Sequence, residues 1–274
     1  MKSRSKIRFD QLLQEKHPTY SRSRLQALIM AGKVTVNGIP FDKPGMPVES
    51  DSELVIIEPD NPYVSRGGLK LKGAIADMRL DFTGLRVLDA GASTGGFTDC
   101  LLQHGAVKVI ALDVGYGQLD HKLRKDPRVV VLERFNVRNL RPEDISDSVD
   151  FATVDLSFIS LKLVLPVFFR LPVPALLALV KPQFEAGRAD AGKGRGVIRD
   201  PVLHRAVLEE VIFAAVDTGY SFRNLTYSRL PGPKGNLEYF LLLAADPVTD
   251  QQLLEAPAEA VSRVVTEAHA LLLR

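Results

Sequence analysis

Cysteine is almost missing from this 274-residue chain. Cys100 stands alone, which excludes an intrachain disulfide and any all-cysteine metal site and suits a reducing cytoplasm. It falls in an apolar stretch and reads most simply as a core residue. Net charge is scarce as well: 35 Lys and Arg against 33 Asp and Glu leave +2, so the distribution of charge says more about partners than its sum. There is no convincing membrane span. The longest apolar region, 161–180, contains Lys162, Arg170 and three prolines, and reads as a connection entering a buried strand. The basic opening lacks the apolar segment of a signal peptide, because Asp10, Gln11, Gln14 and Glu15 interrupt it, so export is not expected. Internal repeats and low-complexity tracts are lacking too.

What is present suits a globular α/β chain, with 46% apolar and 25% charged residues. Positions 9, 12 and 13, then 25, 28 and 29, have helical spacing, with Ser21 or Ser23 as a cap for the second helix. Gly32 stops that helix, VTVNG (34–38) reads as a strand entering a hairpin, and SELVIIE (52–58) pairs with it. This predicts a small α/β domain over residues 1–60 and a linker over 61–64. A larger domain over 65–274 then opens with a helix near 69–79. Its apolar segments RVLDAG, KVIALDV, VVVLERFNV, DFATVDLSF and LLALVKPQF alternate with helical stretches as a Rossmann-like sheet requires. A helix at 202–219, two late strands and a terminal helix complete it.

The stretch VLDAGASTGGFTDC (87–100) places a glycine turn at the carboxyl edge of such a sheet, where ligands bind. It lacks two things. Counting from Gly91, Ser93 stands where a dinucleotide fingerprint needs its second glycine, and no lysine follows Gly96 as a phosphate loop would require. S-adenosylmethionine, which carries no phosphate and has cationic groups, fits better beside Asp89 at the strand end. Asp113, 22 residues beyond Gly91, ends the next strand where a carboxylate can meet ribose hydroxyls. Asn136 could hydrogen-bond an adenine edge or serve only as a turn residue.

Methyl transfer to a sugar hydroxyl needs a group that takes or offsets the departing proton. Asp155 and Lys181 each end a strand in this reading, and Glu238 starts one, so all three can face one crevice. Lys181 sits between Val180 and Pro182 after an apolar run, unlike a surface lysine, although snorkelling and simple pairing with Asp155 would also explain it. Lys70 and Lys72 remain open alternatives on pattern alone.

Taken together, these segments resemble a known family. SRSRLQALIMAGKVTVNG is similar to the alpha-L RNA-binding motif of ribosomal small-subunit protein four. YVSRGGLKLKGAI, VLDAGASTGGFTDCLLQHGA, ALDVGYGQLDHKLRKDPRV, VDLSFISL, KPQFEAGR and GNLEYFLLL resemble, in order, the TlyA/hemolysin A family of ribosomal RNA 2'-O-ribose methyltransferases. The resemblance implies an FtsJ-like, Rossmann-like S-adenosylmethionine-dependent methyltransferase behind a small RNA-binding domain. It implies a catalytic set of Lys70, Asp155, Lys181 and Glu238, which resolves Lys70 from Lys72. It places cofactor binding at Ser65, Arg66, Gly67, Gly91, Ala92, Ser93, Thr94, Asp113 and Asn136, with Asp155 bordering the pocket. It also implies cytidine riboses of 16S or 23S rRNA, or both, as acceptors, ribosomal subunits as partners, and action as a monomer. Arg229 stands where the family has Ser-Pro, and Tyr63 where it also uses Trp.

The first 35 residues hold eight Lys or Arg against Asp10 and Glu15. Arg4, Lys6, Arg8, Arg22, Arg24 and Lys33 can meet phosphates there, and the Gly-rich basic stretch 183–200 could order over RNA at the active site. Three rival readings remain at this stage. A dehydrogenase needs the glycine spacing this chain lacks, a membrane-acting hemolysin needs a span, and a purely RNA-binding or assembly protein predicts that Lys181 is dispensable.

Overall fold

Asn37 and Gly38 (φ 50° and 80°) take two successive left-handed conformations, as the tightest hairpin turn demands, inside the smaller of two compact units, Met1–Asn61 and Pro62–Arg274. The computed structural model describes residues 5–18, 20–57, 61–145, 148–186, 196–232, 234–245 and 256–272. In the smaller unit, β1 (Lys6–Arg8), α1 (Phe9–Lys16) and α2 (Arg22–Met30) precede β2 (Val34–Val36) and β3 (Ile39–Pro40), followed by β4 (Pro47–Glu49) and β5 (Leu54–Ile56). Phe9, Leu12, Leu13, Leu25, Leu28 and Ile29 are all buried together, as their helical spacing predicts. Ser21 stands at the start of α2, its carbonyl accepting from Leu25 N at 3.1 Å. β2 lies between β3 and β5, antiparallel to both. A second pair, β1 with β4, was not legible, because three residues are too few for alternation to register.

Within this unit Asp10 is almost fully buried, and it accepts hydrogen bonds from Arg8, Arg22 and Gln26. The Arg8 guanidinium foremost holds its carboxyl down to about 2, against the cost of burial. The acid therefore organises two of the basic side chains. Lys6, Arg8, Arg22 and Lys33 are all exposed; Arg4 and the side chain of Arg24 lie outside the described residues.

The larger unit runs α3 (Arg66–Met78), β6 (Arg86–Ala90), α4 (Gly96–Gln103), β7 (Lys108–Leu112), α5 (His121–Arg124), β8 (Val129–Leu132), β9 (Phe151–Val154), α6 (Leu165–Arg170) and β10 (Ala175–Val180). It continues with α7 (Pro182–Glu185), α8 (Pro201–Thr218), β11 (Ser221–Tyr227), β12 (Tyr239–Ala244) and α9 (Pro257–Leu272). Its sheet has the order β11-β12-β10-β9-β6-β7-β8, parallel except for β12, which runs antiparallel to both its neighbours.

Strand alternation sorts the core into two layers. Leu88, Ile110, Val154 and Ala178 face α6, α8 and α9, while Val87, Val109, Phe151 and Leu177 face α3 and α4, where Cys100 is fully buried. The result is a Rossmann-like helix–sheet–helix sandwich. Tyr63 packs into the second layer, Val64 N donates to Asp99 Oδ2 at 2.9 Å, and Pro62 O accepts from Gln103. Residues 62–64 thus belong physically to the larger unit. Among the described residues, no helix is long and apolar enough to cross a membrane.

Candidate active site

The chain leaves β6 for β7 and β8 on one side, then crosses back to place β9 on the other. The strand order therefore reverses between β6 and β9, the point where an open parallel sheet has a crevice at its carboxyl edge. Ala90 pairs with Val154, so the next residues, Gly91 and Asp155, emerge side by side. Asp155 N donates to Ala90 O at 2.9 Å. A Cβ on Gly91 (φ 89°) would lie 2.2 Å from the Asp155 carbonyl oxygen, so only glycine fits there. One strand over, Val180 pairs with Tyr239. Because β12 is antiparallel, Lys181 leaving β10 and Glu238 entering β12 appear at the same edge.

A cavity of about 800 Å³ opens there, a size suited to a cofactor-sized ligand. Its wall contains all four residues of the expected catalytic set. Lys181 Nζ lies 2.6 Å from Asp155 Oδ1 and donates to Ser157 Oγ at 3.0 Å. Lys70 Nζ lies 2.5 Å from Glu238 Oε2, whose other oxygen accepts from Gln183 at 3.4 Å. Both lysines are at least nine-tenths buried, which excludes the snorkelling alternative for Lys181. Lys72 is exposed, on the outer side of α3, so the helix itself separates it from Lys70.

Of the positions expected at the cofactor, Ser65, Arg66 and Gly67 line the cavity at the first turn of α3, where Ser65 Oγ accepts from Gly67 N. Gly91, Ala92, Ser93 and Thr94 line it from the glycine turn. Ser93 is itself left-handed (φ 49°), held by donation from its N–H to Asp113 Oδ2 at 2.8 Å. Asp113 Oδ1 accepts from Gly115 N. Asp113 therefore braces the turn and does not form part of the cavity wall, although each oxygen keeps a lone pair for a hydroxyl donor.

Two expectations need correction in placement. Asp89 does not reach the cavity: alternation along β6 turns it to the same face as Val87, beneath α4, where it is fully buried and accepts from Thr98 Oγ1 (2.6 Å) and Thr153 Oγ1 (3.1 Å). Asn136 is exposed, and its Oδ1 accepts from Arg138 N, capping a short helical turn; its turn reading describes what the side chain does here. The expected mobile stretch 183–200 is described only at its ends. Gln183, Phe184 and Gly196 line the cavity, and residues 187–195 lie outside the described residues.

Burial pushes the Asp89 carboxyl up to about 7, against the two threonine hydroxyls. An unfolded carboxyl ionises near 4, so between about pH 4 and pH 7 the folded chain binds the extra proton and stability falls as pH rises. Asp89→Asn retains a hydrogen-bonding partner for both threonines and is expected to flatten that slope. Urea denaturation from pH 4.5 to 8 reads it; parallel slopes in both proteins would refute the assignment.

Sequence reasoning missed Ser157, Phe158 and Asn236 in the cavity wall. Nothing in the apolar segment DFATVDLSF singles out Phe158, which lies beyond the end of β9 at Val154. It is 91% exposed with φ 65°, its ring centroid 4.9 Å from that of Phe184. A large aromatic in a left-handed conformation is strained, and it persists only where the surrounding structure holds it.

The cavity suits S-adenosylmethionine. The glycine turn leaves no side chain between backbone and ligand, two carboxylates face the cationic pair of lysines, and Asp113 stands against the turn with free lone pairs. Arg66, the first turn of α3, the glycine turn and Asp155 are the residues that could hold it.

Comparison with known proteins agrees with this geometry. Residues 63–245 match the FtsJ-like methyltransferase family model, and residues 7–54 match the S4 domain. The chain is 47% identical to the 16S/23S rRNA (cytidine-2'-O)-methyltransferase TlyA of Mycobacterium tuberculosis, over 90% of this chain and 93% of that protein. It is 34% identical to the 23S rRNA (cytidine-2'-O)-methyltransferase TlyA of Campylobacter jejuni, over 65% of this chain and 69% of that one. A solved structure described as a hemolysin, from Streptococcus thermophilus, superposes with a TM-score of 0.76 at 40% identity, covering 98% of this chain and 97% of its own.

Proposed function

The chain belongs to the family of TlyA-type rRNA methyltransferases, an FtsJ-like methyltransferase domain behind an S4 domain, and from that membership we propose that it methylates cytidine 2'-hydroxyls in ribosomal RNA. The observation that carries this reading is the joining of Lys70 to Glu238 and Lys181 to Asp155 at one sheet edge beside the glycine turn. S-adenosylmethionine supplies an electrophilic methyl group on a sulfonium, with a neutral leaving group. The protein's share is to place the hydroxyl and handle its proton.

In this reading Lys181 faces the acceptor hydroxyl as base or charge-stabilising partner, and Asp155 sets how firmly its ammonium is held. Ser157 accepts from the same nitrogen and fixes its direction. Lys70 and Glu238 orient the ribose and complete the charge network. A 2'-hydroxyl restricts the acceptor to RNA, and the exposed basic residues of the smaller unit supply sequence-independent phosphate contacts. The proposed setting is the cytoplasm, with ribosomal subunits as partners.

A cytidine must leave its helical stack for its ribose to enter the cavity, and the Phe158–Phe184 pair offers an aromatic surface for the freed base. Phe158→Ala is expected to raise the KM for RNA by roughly tenfold, from about 1–3 kcal/mol of lost stacking, with S-adenosylmethionine affinity unchanged. Steady-state kinetics on purified subunits measures this; an unchanged KM removes Phe158 from RNA contact.

The reading as a whole is tested by incubating the protein with labelled S-adenosylmethionine and unmodified small or large subunits, then mapping the product by nuclease digestion and mass spectrometry. A 2'-O-methylcytidine made by the wild type and not by Lys181→Ala supports it. Cofactor binding without transfer to either subunit or to assembled ribosomes would refute it.

A further inference from the structure

Parallel strands diverge once their hydrogen-bonded ladder ends, yet the catalytic pair requires segments beyond β9 and β10 to stay in register. Asp155, Ser157 and Phe158 follow β9, whereas Lys181, Gln183 and Phe184 follow β10. Beyond the cavity, one buried side chain ties these segments together. Glu185 is 8% exposed and does not line the cavity. Its Oε2 accepts from Ser160 Oγ at 2.5 Å, and its Oε1 accepts from Leu161 N at 2.7 Å.

We propose that Glu185 is a positioning residue of the methyl-transfer reaction, which holds the turn carrying Asp155, Ser157 and Phe158 against the turn carrying Lys181 and Phe184. The inference rests on the reading of Lys181 and Asp155 as the reacting pair.

Three observations support it. Glu185 is rigidly coupled to Lys181 through the backbone: Lys181 caps α7, and its carbonyl accepts from Phe184 N (2.9 Å) and Glu185 N (3.3 Å). A displacement of one end of this single turn therefore moves the other. Across the tie, Ser160 Oγ also accepts from Lys162 N and caps the short helical turn Leu161–Leu163, so the Glu185 contact reaches a structured element. The tie sits two residues beyond Phe158, whose left-handed backbone persists only where its surroundings over-determine it.

The chemistry of the tie is also costly for a purely structural bond. Burial raises the Glu185 carboxyl, with the Leu161 N–H and the Ser160 hydroxyl opposing that rise. An apolar side chain would fill the same space without desolvating a carboxylate. What the carboxylate adds is direction: two oxygens fix two donors on the facing segment, whereas an apolar contact could slide.

Glu185→Gln keeps an acceptor for Leu161 N, but its amide can meet Ser160 Oγ only as a donor, so that bond is reversed and both bonds lose the carboxylate's charge. With full-length protein, labelled S-adenosylmethionine and unmodified ribosomal subunits, kcat is expected to fall about tenfold or more, because small misplacements of reacting groups are that costly. The S-adenosylmethionine Kd is expected to stay within about twofold and the KM for subunits to rise by less than kcat falls, with Tm unchanged or higher. Ser160→Ala removes only one of the two bonds and is expected to lower kcat less, with the same unchanged Kd.

Wild-type kcat in both variants would overturn the proposal. So would parallel losses of kcat, cofactor affinity and Tm in both, which would make Glu185 an ordinary structural residue. If the wild type itself transfers no methyl group to any ribosomal RNA, the functional reading fails and this inference falls with it.

Discussion

Replacing Lys181 with alanine is expected to lower methyl transfer by roughly 10²–10⁴-fold, the usual worth of a positioned proton-handling group. S-adenosylmethionine affinity should change by less than about threefold, since ground-state binding does not draw on a group that acts in the transition state. The geometry separates the two effects. Lys181 Nζ is spent on Asp155 and Ser157, while the glycine turn and the first turn of α3 contribute other residues of the cavity wall. Removing the ammonium leaves Asp155 with a 22% exposed side chain and, among the described residues, no other ion-pair partner, so some stability is lost as well. Lys181→Met keeps most of the stem and distinguishes packing from charge: both variants should be equally inactive, with Met the more stable. Equal losses of cofactor affinity and turnover would end the proposed division of roles, and full activity would revive a non-catalytic role in ribosome assembly.

Gly91→Ala should have a comparably large effect, on binding instead of chemistry. The new methyl would stand 2.2 Å from the carbonyl oxygen of Asp155 and 2.8 Å from its carbonyl carbon, both backbone atoms. Neither can retreat without stretching the Ala90–Asp155 hydrogen bond that aligns β6 with β9. The left-handed φ adds strain. Together these are expected to cost about 2–4 kcal/mol of stability, a Tm lower by roughly 5–15 °C. They should also weaken S-adenosylmethionine binding by roughly 10²-fold, because the turn and the Asp155 backbone shift together. Gly117→Ala is the control: its φ is also left-handed but no atom lies within 4 Å, so it should show the strain alone, about 1–2 kcal/mol. Calorimetric titration and thermal unfolding read both variants. Wild-type cofactor affinity in Gly91→Ala would remove the glycine turn from the binding site.

The sequence by itself determined a good deal of this protein, wherever the information was local. Apolar residues at helical spacing identified the core of α1 and α2, and an Asn-Gly pair after VTV identified the hairpin, because both patterns arise from backbone geometry within a few residues. The alternation of strands and helices, together with a glycine turn of the wrong spacing for a dinucleotide, was enough to place the crevice. Asp155, Lys181 and Glu238 were legible because each lies one residue outside a strand, where a side chain escapes the sheet.

Only the tertiary structure could decide what depends on distant partners. Lys70 meets Glu238 across 168 residues of sequence, and no pattern around either announces the other; the exposed Lys72 has the same local context. Asp89 looked like a ligand for the cofactor until β6, paired and covered by α4, turned it toward Thr98 and Thr153. The left-handed turn at Phe158 and the buried tie from Glu185 to Ser160 arise because two strands far apart in sequence end side by side. Periodicity reports which face a residue occupies, but hydrogen-bond partners and burial follow from which segments the fold brings together. That is why the elements and the glycine turn were readable in advance, whereas the wiring of the charged site was not.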